Sequence, residues 1–241
     1  ANAISLPVDD GPEALETEAD LAFRVGQSSV ALDRLKSLEA LDPNDPMLAG
    51  RALLVLARNG RATEGVARAR AWSERHSANW RGVLLEARAQ SLAGSTDKAL
   101  ERTREAIEQV PDSLAPRQLL GRLAQQDRRW KVAAEAWQEV LRRRPRDVSA
   151  SLDLAFCREQ MGDIDGAVQA ARDALAWAPA TSSVLNFLGY LLADHNRDRS
   201  FAERIVAQAV AQDPDNGAFS DSVGWVYYRL GRLEAAREQL E

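Results

Sequence analysis

The feature that most constrains this chain is a beat of 34 residues kept by three unrelated residue classes. Gly26, Gly60 and Gly94 stand 34 residues apart; the next step falls on Arg128, the one after on Gly162, and Gly231 follows 69 residues later, which is 34 plus 35. Proline keeps the same beat at Pro43, Pro111, Pro145, Pro179 and Pro214, with Ser77 in the one gap. Small residues recur between them at Ala31, Gly65, Ala99, Ala133, Ala167, Ala202 and Ala236. A fixed period in this range means one supersecondary unit copied and stacked, because a single unit cannot bury its own apolar face.

Each class has a physical task in a helix–turn–helix unit. Glycine midway through the unit supplies the permissive backbone that ends one helix and turns the chain. Proline near the unit's end stops the second helix, often just after aspartate, as in Leu41-Asp42-Pro43 and Gln212-Asp213-Pro214. The small positions let two helix backbones approach, and a larger side chain there would cost about 1–3 kcal/mol. Between these marks apolar residues recur at helical spacing: Ala133, Ala136, Trp137, Val140 and Leu141 make one stripe. No segment alternates with the period of two that strands require. The chain is predicted to be all-α.

Composition narrows the function classes. With 31 basic and 36 acidic residues interspersed, and Lys36, Lys98 and Lys131 the only lysines, there is no basic stripe of the kind phosphate neutralisation demands, which argues against nucleic acid. The single Cys157 excludes an internal disulfide framework and a cysteine-based zinc cluster. No apolar run approaches the ~20 residues of a membrane span.

A search for chemistry finds no convergent set. His76 and His195 are the only histidines, and neither has a metal-ligating neighbour at i+3 or i+4 on a helix. His195 is read as a solvated residue of the turn Asp194-His195-Asn196-Arg197-Asp198, and His76 as a cation favoured at a helix C-terminus. Cys157, beside Phe156, reads as a small buried hydrophobe. Phosphate-loop, dinucleotide-binding and nucleophile-elbow motifs are absent. The expectation is no catalytic residue, no metal ligand, no cofactor and no small-molecule substrate.

The spacing and residue types resemble the tetratricopeptide repeat, with its Trp-x-x-Leu-Gly-x-x-Tyr element in the first helix and its Ala and Pro further on. Gly224-Trp225-Val226-Tyr227-Tyr228-Arg229-Leu230-Gly231 followed by Ala236 carries the resemblance most fully; Leu188-Gly189-Tyr190 with Ala202, and Leu120-Gly121 with Ala133, Trp137 and Pro145, extend it. The units fall at 12–45, 46–79, 80–113, 114–147, 148–181, 182–216 and 217–241, after an N-terminal extension of residues 1–11. Ala19, Leu53 and Ala87 stand where glycine is expected, and the last unit stops inside its second helix. The resemblance implies a right-handed superhelical solenoid whose first helices line a concave trough.

It also implies that positions 2, 5, 9, 12 and 13 of each unit face that trough. Glu13, Glu16, Asp20, Phe23 and Arg24 fall there first, then a cationic and amide-rich band of Arg58, Arg81, Leu84, Arg88, Gln118, Arg122, Gln125 and Gln126. The C-terminal band adds Leu152, Phe156, Asn186, Tyr190, Asp194, Asp221, Trp225, Tyr228 and Arg229. Arginine forks suit carboxylates, amides suit an extended backbone, and aromatics anchor interfaces. The expected ligand is therefore a protein or peptide segment with acidic character and apolar anchors. The aromatics of the last band either touch it or pack against neighbouring helices.

A narrower resemblance covers 182–241, which look like the C-terminal repeats of bacterial repeat proteins, among them outer-membrane lipoproteins that act as adaptors for a periplasmic protease. It implies a bacterial periplasmic or outer-membrane location, with the cytoplasm as the alternative, and membrane attachment only through lipidation of a fuller protein. Self-assembly through the exposed C-terminal unit is the competing expectation.

Overall fold

The computed structural model describes residues 11–240; the expected extension 1–11, apart from Gly11, and the terminal Glu241 lie outside them. Fourteen α-helices and no β-strand are present among the described residues. The first helices of successive pairs are α1 (Pro12–Arg24), α3 (Pro46–Arg58), α5 (Trp80–Leu92), α7 (Leu114–Gln126), α9 (Val148–Gln160), α11 (Ser182–Asp194) and α13 (Gly217–Arg229). Their partners are α2 (Ser28–Leu41), α4 (Ala62–Arg75), α6 (Thr96–Gln109), α8 (Trp130–Arg143), α10 (Ile164–Trp177), α12 (Arg199–Gln212) and α14 (Leu233–Leu240). The pairs thus open at 12, 46, 80, 114, 148, 182 and 217, in step with the glycine beat.

One device closes every hairpin. The residue on the beat adopts a left-handed backbone, with φ between 71° and 79° at Gly26, Gly60, Gly94, Gly162 and Gly231. The next residue's N–H then reaches back five positions to an otherwise unsatisfied helix carbonyl: Gln27 to Ala22, Arg61 to Leu56, Ser95 to Gln90, Asp163 to Arg158 and Arg232 to Tyr227, all at 2.8–2.9 Å. Arg128 and Asn196 take the glycine's place with φ of 56°, and Arg129 to Ala124 and Arg197 to Leu192 complete the same closure. A side chain in that region costs about 1–2 kcal/mol, which the surrounding packing tolerates twice. At the opposite ends, side chains of Asp45, Asn79, Asp147 and Asp163 accept N–H groups of the helices they precede.

Residues up to Leu119 form one compact unit and those from Leu120 another. In the first, α1 packs on α2, α2 on α3, α3 on α4 and α4 on α5, and their apolar stripes meet in a core that includes Leu15, Leu35, Leu38, Leu48 and Val55, then Leu53, Trp72 and Leu85. In the second, α8 through α13 pack in the same sequential way, burying Val140, Leu154, Leu185, Leu188, Leu192, Val206 and Val226. The small positions Ala31, Ala99, Ala133, Ala167 and Ala202 are fully enclosed.

Helix contact is set by paired sizes. Glycine on a first helix faces a large residue on its partner: a Cβ on Gly121 would lie 2.5 Å from the Trp137 ring, and one on Gly189 would lie 2.4 Å from Val206. In the pair α3–α4 the sizes are exchanged. Leu53 occupies the first-helix position, and the small residue is Gly65, whose added Cβ would meet Leu53 at 3.5 Å. No helix among the described residues is long and apolar enough to cross a membrane.

Candidate partner-binding surface

First helices carry the residues expected at a trough, and each compact unit presents its own set. In the first unit, Arg51 on α3 bonds Glu16 at 3.0 Å and also pairs with Asp20 of α1. Arg58 donates to the carbonyl of Phe23 at 3.1 Å, at the C-terminal end of α1 where a positive charge is favoured, and lies 5.0 Å over the Phe23 ring. Beside them is a small cavity of about 130 Å³, walled by Phe23, Leu35, Leu54 and Val55 with Asp20 and Arg51 at its polar edge. Arg81 is exposed and stacks over Trp80 at 4.8 Å. Arg88 is exposed and has no ion-pair partner among the described residues, while Gln118 is half-buried. Leu84 is buried, so it supports this face from beneath.

In the second unit the expected amide, Gln125, is already committed. Its oxygen accepts the Trp137 indole N–H at 2.9 Å and its nitrogen donates to Asp153 Oδ1 at 3.2 Å. Burial raises the Asp153 carboxyl above the usual range, against the lowering effects of the Gln125 bond and of the nearby Arg122 charge. Arg122 itself is exposed. The buried Cys157 thiol is pushed up to about 12 by burial and by Asp153, which removes it as a nucleophile.

The aromatic band sits on α9, α11 and α13. Phe156 meets Trp130 edge-on at 5.6 Å and keeps 36% of its surface exposed; Tyr228 is 55% exposed beside the Trp225 ring at 5.5 Å. Asn186 is half-buried, and its Oδ1 has no hydrogen-bond partner in the structure. The half-buried Tyr190 hydroxyl is raised by burial and by the Asp194 and Glu159 carboxylates. Trp225 donates its indole N–H to Asp194 Oδ1 at 3.1 Å. Arg229 donates to the Asp194 carbonyl, so like Arg58 it ties one first helix to the end of the preceding one.

His195 departs from its expected place in solvent. It is half-buried, and Nε2 lies 3.1 Å from Glu159 Oε1 across the joint between α9 and α11. Helix-local spacing could not reveal this, because the two residues are 36 positions apart. His76 does sit at a helix end, its Nδ1 2.8 Å from the Trp72 carbonyl and its ring stacked on Trp72 at 4.0 Å.

Comparison with known proteins places this architecture. The family model described as "tetratricopeptide repeat" matches residues 119–184 and 188–241. A TPR repeat-containing protein of Pseudomonas aeruginosa is 31% identical over 153 residues, 61% of this chain and 25% of that protein, so the chain spans about a quarter of the length of this curated relative. Among solved structures, a tetratricopeptide repeat protein from Parabacteroides merdae superposes with a TM-score of 0.62 at 16% identity, covering 95% of this chain and 90% of that one. The C-terminal part of a TPR repeat-containing protein from Cytophaga hutchinsonii gives 0.64 at 13% identity, covering 94% and 93%. At such identities the structural likeness speaks to fold.

Proposed function

Since the chain is a tetratricopeptide repeat protein, a class that generally mediates protein–protein interaction on a non-catalytic fold, we propose that it is a scaffold that captures a partner segment on the first-helix faces, chiefly α9, α11 and α13. The observation that carries this reading is the pair of exposed aromatics Phe156 and Tyr228 on that face, each beside a second aromatic ring. Exposed rings held by a rigid scaffold lose little freedom on binding, and such residues dominate interface energies. Asn186, with an unused acceptor on the same helices, suits the backbone of an extended segment. Arg88, exposed and unpaired, extends the reading to an acidic residue of the partner in the other unit.

The test is affinity capture from the source cell with the double variant Phe156→Ala, Tyr228→Ala, and separately with Arg88→Glu. The double variant should lose at least tenfold in affinity, about 1.4 kcal/mol, with helical circular dichroism unchanged. Undiminished capture would remove these faces as the partner surface.

The finer reading is an adaptor of the bacterial envelope. It draws on the resemblance of 182–241 to envelope repeat proteins and on the Pseudomonas relative. Cell fractionation of the full protein decides it, and an exclusively cytoplasmic pool ends it. The self-assembling alternative predicts a molecular mass that rises with concentration; a constant monomer mass dismisses it.

A further inference from the structure

The C-terminal ends of α9 and α11 bring together one imidazole and two carboxylates that no helix-local pattern connects. Glu159, Asp194 and His195 offer three donor atoms that all lie within 4.8 Å of one another. His195 Nε2 is 3.1 Å from Glu159 Oε1 and 3.9 Å from Asp194 Oδ2. A tetrahedral ion with bonds of about 2.0–2.1 Å to nitrogen and oxygen has donor–donor edges of about 3.4 Å. One edge of this triangle is already shorter than that, and small carboxylate rotations bring the others in.

Charge and orientation favour a cation here. The Glu159 side chain is 13% exposed, and His195 is its sole partner among the described residues. Asp194 is held from behind: Trp225 Nε1 donates to Oδ1 at 3.1 Å and Arg229 Nη1 stands 3.9 Å from the same oxygen. That leaves Oδ2 turned toward the imidazole. Arg229 is the one guanidinium within 4.0 Å of either carboxylate among the described residues, so the group retains uncompensated negative charge in a partly buried place. Such outer bonds are what orient a carboxylate ligand. The imidazole selects against magnesium and calcium and in favour of borderline first-row ions.

We propose that Glu159, Asp194 and His195 form a binding site for a zinc-like divalent cation, which would bridge α9 to α11. Three protein donors leave a tetrahedral ion one open position. Tyr190, whose hydroxyl senses both carboxylates, stands beside the site on the aromatic face. The proposal does not depend on that face being a partner surface.

The probe is Zn²⁺, titrated calorimetrically into the untagged chain in excess Mg²⁺. One equivalent should bind, and Glu159→Gln and His195→Gln should each weaken binding at least tenfold while far-ultraviolet circular dichroism stays unchanged. Trp225→Phe, which frees Asp194 Oδ1 without removing a ligand, should weaken it by about tenfold. His76→Gln, the other histidine, should change nothing. Absence of Zn²⁺ uptake at 100 µM, uptake indifferent to Glu159 and His195, or uptake lost with His76 would each overturn the assignment.

Discussion

Replacing Gly121 by alanine probes the size pairing that sets how closely two helices of a hairpin pack. The added Cβ would lie 2.5 Å from Trp137 Cε2, 2.8 Å from Cζ2 and 2.9 Å from Nε1. The ring cannot step aside cheaply. Trp137 is 3% exposed, and its indole N–H is anchored on Gln125 at 2.9 Å. Overpacking of this kind costs about 1–3 kcal/mol, and weakening the indole bond adds about 0.5–1.5 kcal/mol. Alanine returns about 0.5–1 kcal/mol through its better helix propensity. The net is a loss of about 2 kcal/mol, or a fall in Tm of about 4–8 °C for a chain of this size. Gly65→Ala is the matched control, since its Cβ would meet Leu53 at an ordinary 3.5 Å. With no clash, the propensity gain of about 0.5–1 kcal/mol stands alone, and this variant should be slightly more stable. Urea titrations followed by circular dichroism and by tryptophan emission compare the two, the second signal reporting on Trp137 among others. Stacked repeats need not unfold in one step, so midpoints from both signals are compared with wild type. Equal stability of Gly121→Ala and wild type, or equal losses in both variants, would refute the pairing argument.

Other consequences follow from the buried groups of the second unit. The Cys157 thiol, fully enclosed and pushed up to about 12, should react with a disulfide reagent at pH 8 only as fast as its unit opens, and at the free-thiol rate in denaturant. Fast labelling of the folded chain would contradict its burial. Asp153 has a folded pKa raised by burial, so the folded state binds its proton more tightly than the unfolded chain does. Stability is therefore fullest below the unfolded carboxylate value and declines as pH rises through the folded one. Asp153→Asn keeps an acceptor for Gln125 and should raise the urea midpoint at pH 7, with the gain vanishing in acid. A gain independent of pH would point to packing instead.

The hairpin closures are legible in the sequence because a left-handed residue must recur at every turn, and glycine fills it in five cases among the described residues. Arg128 and Asn196 show where residue identity stops being the guide: a packed hairpin holds the same backbone at a cost that its neighbours absorb. Leu53 has the same lesson at the helix contact. It breaks the pattern of its own helix, and only the pair Leu53–Gly65 preserves the spacing. The aromatic face could be placed on its helices by counting positions within a unit. What counting could not supply was which polar groups remain free, and the reason is topological. In a single helix the neighbours of a side chain lie three and four residues away. In a stack they lie about one period away: Arg58 to Phe23 spans 35 residues, Arg229 to Asp194 35, Trp225 to Asp194 31 and His195 to Glu159 36. A ligand search at i+3 and i+4 therefore passes over Glu159, Asp194 and His195, two of which are adjacent and the third a period distant. Repeat chains should be read in columns as well as along the helix, because stacking makes the column the local neighbourhood in which charges pair and sites assemble.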